Sequence, residues 1–396
     1  MISPQKKLLI LNGSHSDIPL ILAGKKLGFH VVTTGNNPQL IGHSYADEYH
    51  CADFSNKEDI LALSQKLKID AICACANDFG AITASYVAEK LCLPGHDTFE
   101  NCLTIHHKDK FKAFTLKNGI PTPKAQGFDK IEDALFCNDA FSLPLIVKPV
   151  DLTGGKGITR IFARDDLETA VKKAFEMSPQ HRIVIEEFID GTLHSFSSFL
   201  YKQKIQFYFS DNEYSYLNPN LVSTSAAPSA NIHEVSQTLI NASEKIAGLL
   251  SLKDGIFHIQ YIYKNGQASI IEITRRCSGD LYSYPVNNAT GLNWEDWIVK
   301  SSVGMDCADF PEVRQKGFYG RHCIMAPENG VVENVLIDND IKGNICGELI
   351  WWKKGDEINN YLVDKLGVVF LKFDSEREMH QKVNMINQLI KVIFDK

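Results

Sequence analysis

Two kinds of apolar spacing alternate along the first hundred residues: short continuous runs, and segments whose apolar positions recur every three to four residues. Lys7–Leu11 reads as a strand ending in Asn-Gly-Ser, and Ile18–Leu27 as a helix stopped by Gly28. His30–Thr34 follows as a strand, Asn56–Leu67 as a helix, Ala71–Ala76 as a buried strand and Phe79–Leu91 as another helix. Strand–helix alternation of this kind predicts a parallel sheet with right-handed crossovers. Such sheets bind ligands beyond the carboxyl ends of their strands, here near Asn12–Ser16 and Asn77–Asp78. The first turn lacks GxGxxG, so no dinucleotide fingerprint is present. Asp78 reads equally well as a helix N-cap and as a substrate contact.

The texture changes near Asn101. Lys108–Leu116 reads as a basic helix, broken by Gly119-Ile120-Pro121-Thr122-Pro123, and Lys130–Asp139 as a second helix. Leu143–Val150 is a strand, followed by the loop Asp151-Leu-Thr-Gly-Gly-Lys-Gly157 and a strand at Ile158–Phe162. Asp165–Phe175 is helical and Arg182–Phe188 a strand. Strand-like runs fill His194–Phe209 around a Lys202-Gln203-Lys204 turn, and a helix lies near Glu234–Leu250. Ile256–Tyr263 and Ala268–Ile273 form a hairpin across Lys264-Asn265-Gly266. Short strands dominate from about residue 300, and a helix, Ser375–Ile393, closes the chain.

A length of 396 residues fits two or three domains of roughly 150 residues. The balance of 44% hydrophobic and 22% charged residues is that of a packed globular protein, which excludes disorder as the main state. Forty-eight acidic against 41 basic residues leave a net charge of −7, which argues against a general nucleic-acid or anionic-membrane binder. No apolar stretch approaches the roughly 18 residues of a membrane span, and the N-terminal run is too short for a signal peptide. Ten cysteines without a CxxC pair, several in apolar runs (Cys73, Cys75, Cys92), read as buried reduced thiols of a cytoplasmic protein.

Three clusters carry candidate chemistry. Lys148 ends an apolar strand, where an ammonium is costly without an anion. The Thr153–Gly157 loop after it can wrap backbone N–H groups around phosphate oxygens, although it is not a P-loop. On these residues alone, a hairpin turn after a snorkelling lysine stays open. The second cluster is Glu186-Glu187-Phe188-Ile189 at the end of another apolar run, which suits either a nucleotide hinge or a strand leaving the core. The third places Gln260, Glu272 and Thr274 on one face of two neighbouring strands, beside Arg275 and Arg276. Three oxygen side chains beside an arginine suit Mg²⁺ with polyphosphate.

In order and spacing these clusters resemble the ATP-grasp superfamily of carboxylate–amine ligases, over most of the chain. The stretch Glu272-Ile-Thr-Arg-Arg276 is similar to that family's Glu-x-Asn-Pro-Arg motif, with Thr274 in place of Asn and Arg275 in place of Pro. The nearest layouts are those of the carbamoyl phosphate synthetase large subunit and biotin carboxylase. The resemblance implies an α/β fold with three parts: a parallel-sheet pre-grasp domain over residues 1–100, a two-lobed ATP-grasp domain over 101–300 and a small β-rich C-terminal subdomain over 301–396. The lid lobe would span about 115–190. It also implies ATP and Mg²⁺ as cofactors, with Lys110, Lys148 and the loop of Gly154, Gly155 and Gly157 on the phosphates. Main chain at Glu186 and Ile189 would read adenine, Glu187 and His194 would lie near adenine and ribose, and Gln260, Glu272 and Thr274 would hold Mg²⁺. Arg276, with Lys148, would act on the transferred phosphoryl; Arg275, Asp280 and Arg321 are weaker candidates for holding substrate. The implied reaction activates a carboxylate as an acyl phosphate for attack by an amine, releasing ADP and phosphate. A bicarbonate-activating carboxylase or carbamoyl phosphate synthetase-like enzyme, and a nucleotide-binding protein with a decayed metal site, are the other readings. The partners would be small carboxylates and amines, with neither nucleic acid nor membrane, and a homodimer is allowed.

Overall fold

In a computed structural model, which describes residues 5–152 and 154–395, the N-terminal strands Lys7–Leu11, His30–Gly35, Glu48–Cys51 and Ala71–Cys73 form one parallel sheet. Lys7–Leu11 lies between His30–Gly35 and Ala71–Cys73, and Leu8–Leu11 have no exposed surface. A strand buried on both faces needs a continuous apolar run, which is why this sequence reads so clearly. The edge strand Glu48–Cys51 has no such run and escapes the sequence pattern.

An antiparallel sheet of eight strands forms the body of the molecule. Its order is Gln267–Thr274, Gly255–Lys264, Thr192–Tyr201, Lys204–Tyr214, Thr224–Ala227, Phe318–Ile324, Gly367–Phe373 and Ile345–Ile350. Helix Ile232–Leu249 covers one face, burying Val235, Leu239 and Ile246 against Phe196, Leu200, Phe257 and Ile259. Two tight turns set the register: Lys202 and Gln203 have φ of 49° and 64°, and Asn265 and Gly266 have φ of 50° and 76°. Positive φ at both central residues suits a two-residue hairpin, whose twist it matches.

A separate four-stranded sheet, ordered Ala125–Phe128, Ile183–Glu187, Leu145–Pro149 and Thr159–Ile161, carries helix Leu167–Met177 on one face and forms a lid over the cleft. The glycine loop joins Leu145–Pro149 to Thr159–Ile161; its first residue, Thr153, lies outside the described residues.

The C-terminal third differs from the expectation in two ways. Three of its strands continue the central sheet, because Phe318–Ile324 pairs with both Thr224–Ala227 and Gly367–Phe373. The expected closing helix Ser375–Ile393 ends early: Glu376–Asn384 and Ile386–Leu389 are helical, but Ile390–Phe394 is a strand paired with Gly330–Ile337. Ile390 and Val392 are buried while Lys391 is exposed, a period-two pattern that an available sheet edge converts into a strand. Helices Phe99–His106, Ser283–Thr290 and Trp294–Ser302 also went unread in the sequence. All ten cysteines are free thiols and six are buried, but Cys92 is exposed at a helix end. Among the described residues no helix is long and apolar enough to cross a membrane.

Phe257 is fully buried between the central sheet and its covering helix. Phe257→Ala should cost roughly 3–5 kcal/mol, seen as a lower urea midpoint. An unchanged midpoint would show that this layer is not a packed core.

Candidate active site

One carboxylate organises the lid side of the cleft. Glu186, at 3% exposure, receives Lys148 Nζ at 2.7 Å on Oε1 and Lys112 Nζ at 3.2 Å on Oε2. Burial alone would raise this carboxyl, but the two ammonium groups outweigh it and pull it down to about 2. Lys112 is itself lowered to about 8 by burial, against the pull of Glu186. It also reaches Thr122 Oγ1 at 2.9 Å and the Ile270 carbonyl at 3.4 Å, tying lid to central sheet. Two cations on one carboxylate leave a surplus positive charge, and Lys148 presents it to the cleft.

The cleft between lid and sheet holds about 550 Å³, within the usual range for small-molecule sites. Lys148, Gly154, Gly155 and Lys156 form its roof. A Cβ on Gly155, at φ +74°, would lie 2.4 Å from the Asn220 carbonyl, so only glycine lets the loop close on the sheet's Asn220 segment. Gly157 is seated against Pro149 and does not line the cleft. The expected phosphate lysine also shifts: Lys110 points outward to Glu100 at 3.0 Å, whereas Lys108 enters the cleft and ties Leu152 O at 2.6 Å. Helical spacing explains it, since Lys108, Lys112 and Thr115 share one face and Lys110 takes the other. That i, i+4 pattern was the available signal.

Alternation along strands corrects two more expectations. Glu187 turns away from the cleft and accepts the Ser142 N–H at 2.8 Å, while Glu186 and Phe188 face inward. His194 lies on the helix side of the central sheet, bonded to Thr192 and Ser229 and stacked on Tyr261, where burial lowers it to about 4. Its neighbour Leu193 faces the cleft instead.

The floor gathers Gln260, Glu272, Thr274 and Arg276. Gln260 stands directly opposite Glu272, and His258 opposite Thr274. Gln260 Nε2 donates to Glu213 Oε2 at 2.7 Å. Glu213 was not foreseen; burial, then the Asp211 charge, push it up to about 8. Arg276 donates from Nε to Asp78 at 2.9 Å, and His106 meets the same carboxylate at 3.0 Å. Asp78 is therefore neither cap nor free; Asn77 caps the helix. Burial disfavours the Asp78 anion, yet Arg276 and His106 hold it well below the carboxylate range. Arg275 points away, bonded to Asp97 at 2.9 Å. Asp280 and Arg321 do line the cleft, with Lys365.

A lid with a glycine loop and paired lysines, closed over a sheet that offers an acid–amide pair and an arginine, is the architecture of the ATP-grasp fold, and solved structures and a family model match the chain accordingly. Residues 106–218 match the family model for the phosphoribosylglycinamide synthetase ATP-grasp (A) domain. The carbamoyl phosphate synthase large chain, C-terminal section, of Methanocaldococcus jannaschii is 21% identical over 296 residues, covering 70% of this chain and 48% of that protein. The chain thus spans about half the length of that curated relative. Among solved structures, an L-amino acid ligase from Bacillus licheniformis superposes with a TM-score of 0.82 at 20% identity, covering 99% of both chains. The biotin carboxylase domain of 2-oxoglutarate carboxylase from Hydrogenobacter thermophilus, solved with MgADP and bicarbonate, gives 0.78 at 18% identity, over 98% of this chain and 90% of that one.

Removing Glu186's charge should strand two buried cations. Glu186→Gln is expected to cost about 3–5 kcal/mol near neutral pH. The wild-type carboxyl is depressed from 4.5 to about 2 in the fold. Its contribution is therefore complete above the ordinary value and fades as pH falls toward the folded one. Guanidinium unfolding of both proteins across this range should show the gap narrowing in acid. A pH-independent gap would assign the loss to packing instead.

Proposed function

We propose that the chain is an ADP-forming carbon–nitrogen ligase that activates a carboxylate with ATP and delivers it to an amine. The observation that carries this reading is that one cleft sets the lid's surplus positive charge and glycine loop against Gln260, Glu272, Thr274 and Arg276. Adenine would lie in the slot between Ile146 and Ile158 of the lid and Ile262 and Ile271 of the sheet, its edge read by main chain at Glu186 and Ile189. Lys108, Lys148, Lys156 and the loop amides would hold the phosphates.

The floor suits Mg²⁺, which takes one or two protein carboxylates and completes its shell with phosphate and water. Glu272 supplies the carboxylate. Gln260 binds a cation only through Oε1, and its Nε2 is committed to Glu213, which leaves that oxygen for the metal. Thr274 adds a hydroxyl. The ion, when bound, neutralises charge on the phosphates.

In the first step a substrate carboxylate oxygen bonds to the γ-phosphorus while the bond to the β-phosphate bridging oxygen breaks, leaving ADP and an acyl phosphate. In the second the amine nitrogen bonds to the acyl carbon, the carbon–oxygen bond to phosphate breaks, and the amine loses a proton. Positioning and charge neutralisation do most of this work. Arg276, oriented by Asp78, would steady the transferred phosphoryl. The ten free thiols suit a reducing, cytoplasmic setting.

Mg·ATP at a hundred times its dissociation constant should stabilise the fold by roughly 2.7 kcal/mol, visible as a higher melting temperature. No shift for folded protein would remove the nucleotide reading. ADP release should appear with pooled carboxylates plus amines; release with bicarbonate alone would select the carboxylase reading, and tight ATP binding without turnover a decayed site. Once an acceptor is found, Lys148→Ala and Glu272→Ala should each lower turnover roughly 10²–10³-fold. Thr274→Asn, whose amide reaches one bond further, should keep activity and lower the Mg²⁺ concentration required. Unchanged half-saturation and turnover would return Thr274 to a purely structural role.

A further inference from the structure

We propose that the end of the cleft floored by strand Phe318–Ile324 is an anion subsite, in which the Nε edge of Arg321 and the ammonium of Lys365 hold a second anionic group, carboxylate or phosphate, of the acceptor substrate. The word acceptor rests on the ligase reading above; the subsite itself rests on how Arg321 is paired.

Arg321 lies on strand Phe318–Ile324 at 5% exposure, directly opposite Ser225, which in turn stands opposite Glu213. It therefore continues the cleft floor two strands beyond Glu213. The cleft's other arginine is well matched: Arg276 Nε donates to a carboxylate at 2.9 Å. Arg321 is not. Its Nη1 is 3.7 Å from Asp280 and 3.6 Å from Cys323 Sγ, and its buried Nε has no hydrogen-bond partner. A buried donor left unmade is costly, and the guanidinium fork matches carboxylate or phosphate oxygens in its own plane.

The local charge points the same way. Lys365 Nζ sits 2.6 Å from Asp280, so two cations share one carboxylate where they face the cleft. His15, stacked on Trp351, lies 3.6 Å from the same carboxylate and adds no negative charge. Of the two further acids that act on Arg321, Asp211 is behind the wall and engaged by Ser195 and Tyr282, and Glu213, which lines the cleft, is pushed up to about 8 by burial and the Asp211 charge. Ser278 Oγ, buried and without a partner, lines the same end. An ammonium group entering here would meet Arg321 and Lys365; an anion completes them. The acceptor-side substrate therefore carries one anion at this end besides the group that reacts near Arg276.

The test is calorimetric titration of the full chain saturated with a non-hydrolysable Mg·ATP analogue. The probes are L-aspartate and L-glutamate against L-alanine, and glycerol 3-phosphate against glycerol. At least one two-anion or phosphate-bearing probe should bind tenfold or more tightly than its counterpart, and which probe does so separates carboxylate from phosphate. Lys365→Met and Arg321→Lys should each weaken that binding tenfold or more while changing affinity for the ATP analogue less than twofold. Arg321→Lys keeps a cation beside Asp280, and with it the fold, but loses the Nε edge. Equal binding of probe and counterpart, retained affinity in both variants, or no probe binding to a chain that holds the ATP analogue would each overturn the subsite. Failure to bind the analogue itself would instead strike the ligase reading.

Discussion

Glu186 is the group on which the arrangement depends. It draws Lys112 from helix Lys108–Lys117, Lys148 from the neighbouring lid strand, and through Lys112 the Thr122 hydroxyl and Ile270 carbonyl. Lid, connecting segment and central sheet thus meet at one buried carboxylate. Ion pairs in such places often add little net stability over an apolar packing of the same volume, because desolvation opposes the Coulomb gain. Their value here is geometric and electrostatic: the lid is held over the sheet, and one positive charge stays uncompensated at the roof of the cleft.

The same economy recurs across the cleft. Asp78 from helix Asp78–Leu91 is taken by Arg276 and His106, so a guanidinium beside the central sheet is aimed by a carboxylate beside the parallel one. Glu213 engages one end of the Gln260 amide and leaves its oxygen. In each pair a carboxylate fixes the orientation of a neighbour that lines the cleft, as buried polar groups require when water is excluded. Arg321 departs from this pattern, having a loose partner and an unmade Nε bond, and the departure lies where the cleft extends beyond Gln260 and Glu272.

The antiparallel sheet sorts its side chains by parity. Phe196 and Leu200 point to the covering helix and so does His194, while Leu193, Gln260 and Glu272 face the cleft. A one-residue slip in any strand would exchange these sets. The tight turns at Lys202-Gln203 and Asn265-Gly266 therefore guard the chemistry as much as the fold.

Much of this was legible in the linear chain. Apolar periodicity located the parallel sheet, the lid hairpin and the Gly255–Lys264 and Gln267–Thr274 pair, because burial on one or both faces writes itself into spacing. Glycines after a lysine, and Gln260 opposite Glu272 beside Arg276, marked the two walls of the cleft. What residue type alone could not carry was direction. Lys110 and Lys108 are equally basic, and Glu186 and Glu187 equally acidic; only helix and strand geometry decides which member of each pair turns inward. The chain's final residues became a strand because Gly330–Ile337 offered an edge, and Arg321, Lys365 and Asp280 met through folding across more than forty residues of sequence. Local sequence determines which surfaces must be buried, whereas charge pairing between distant segments exists only once those burials have brought the segments together.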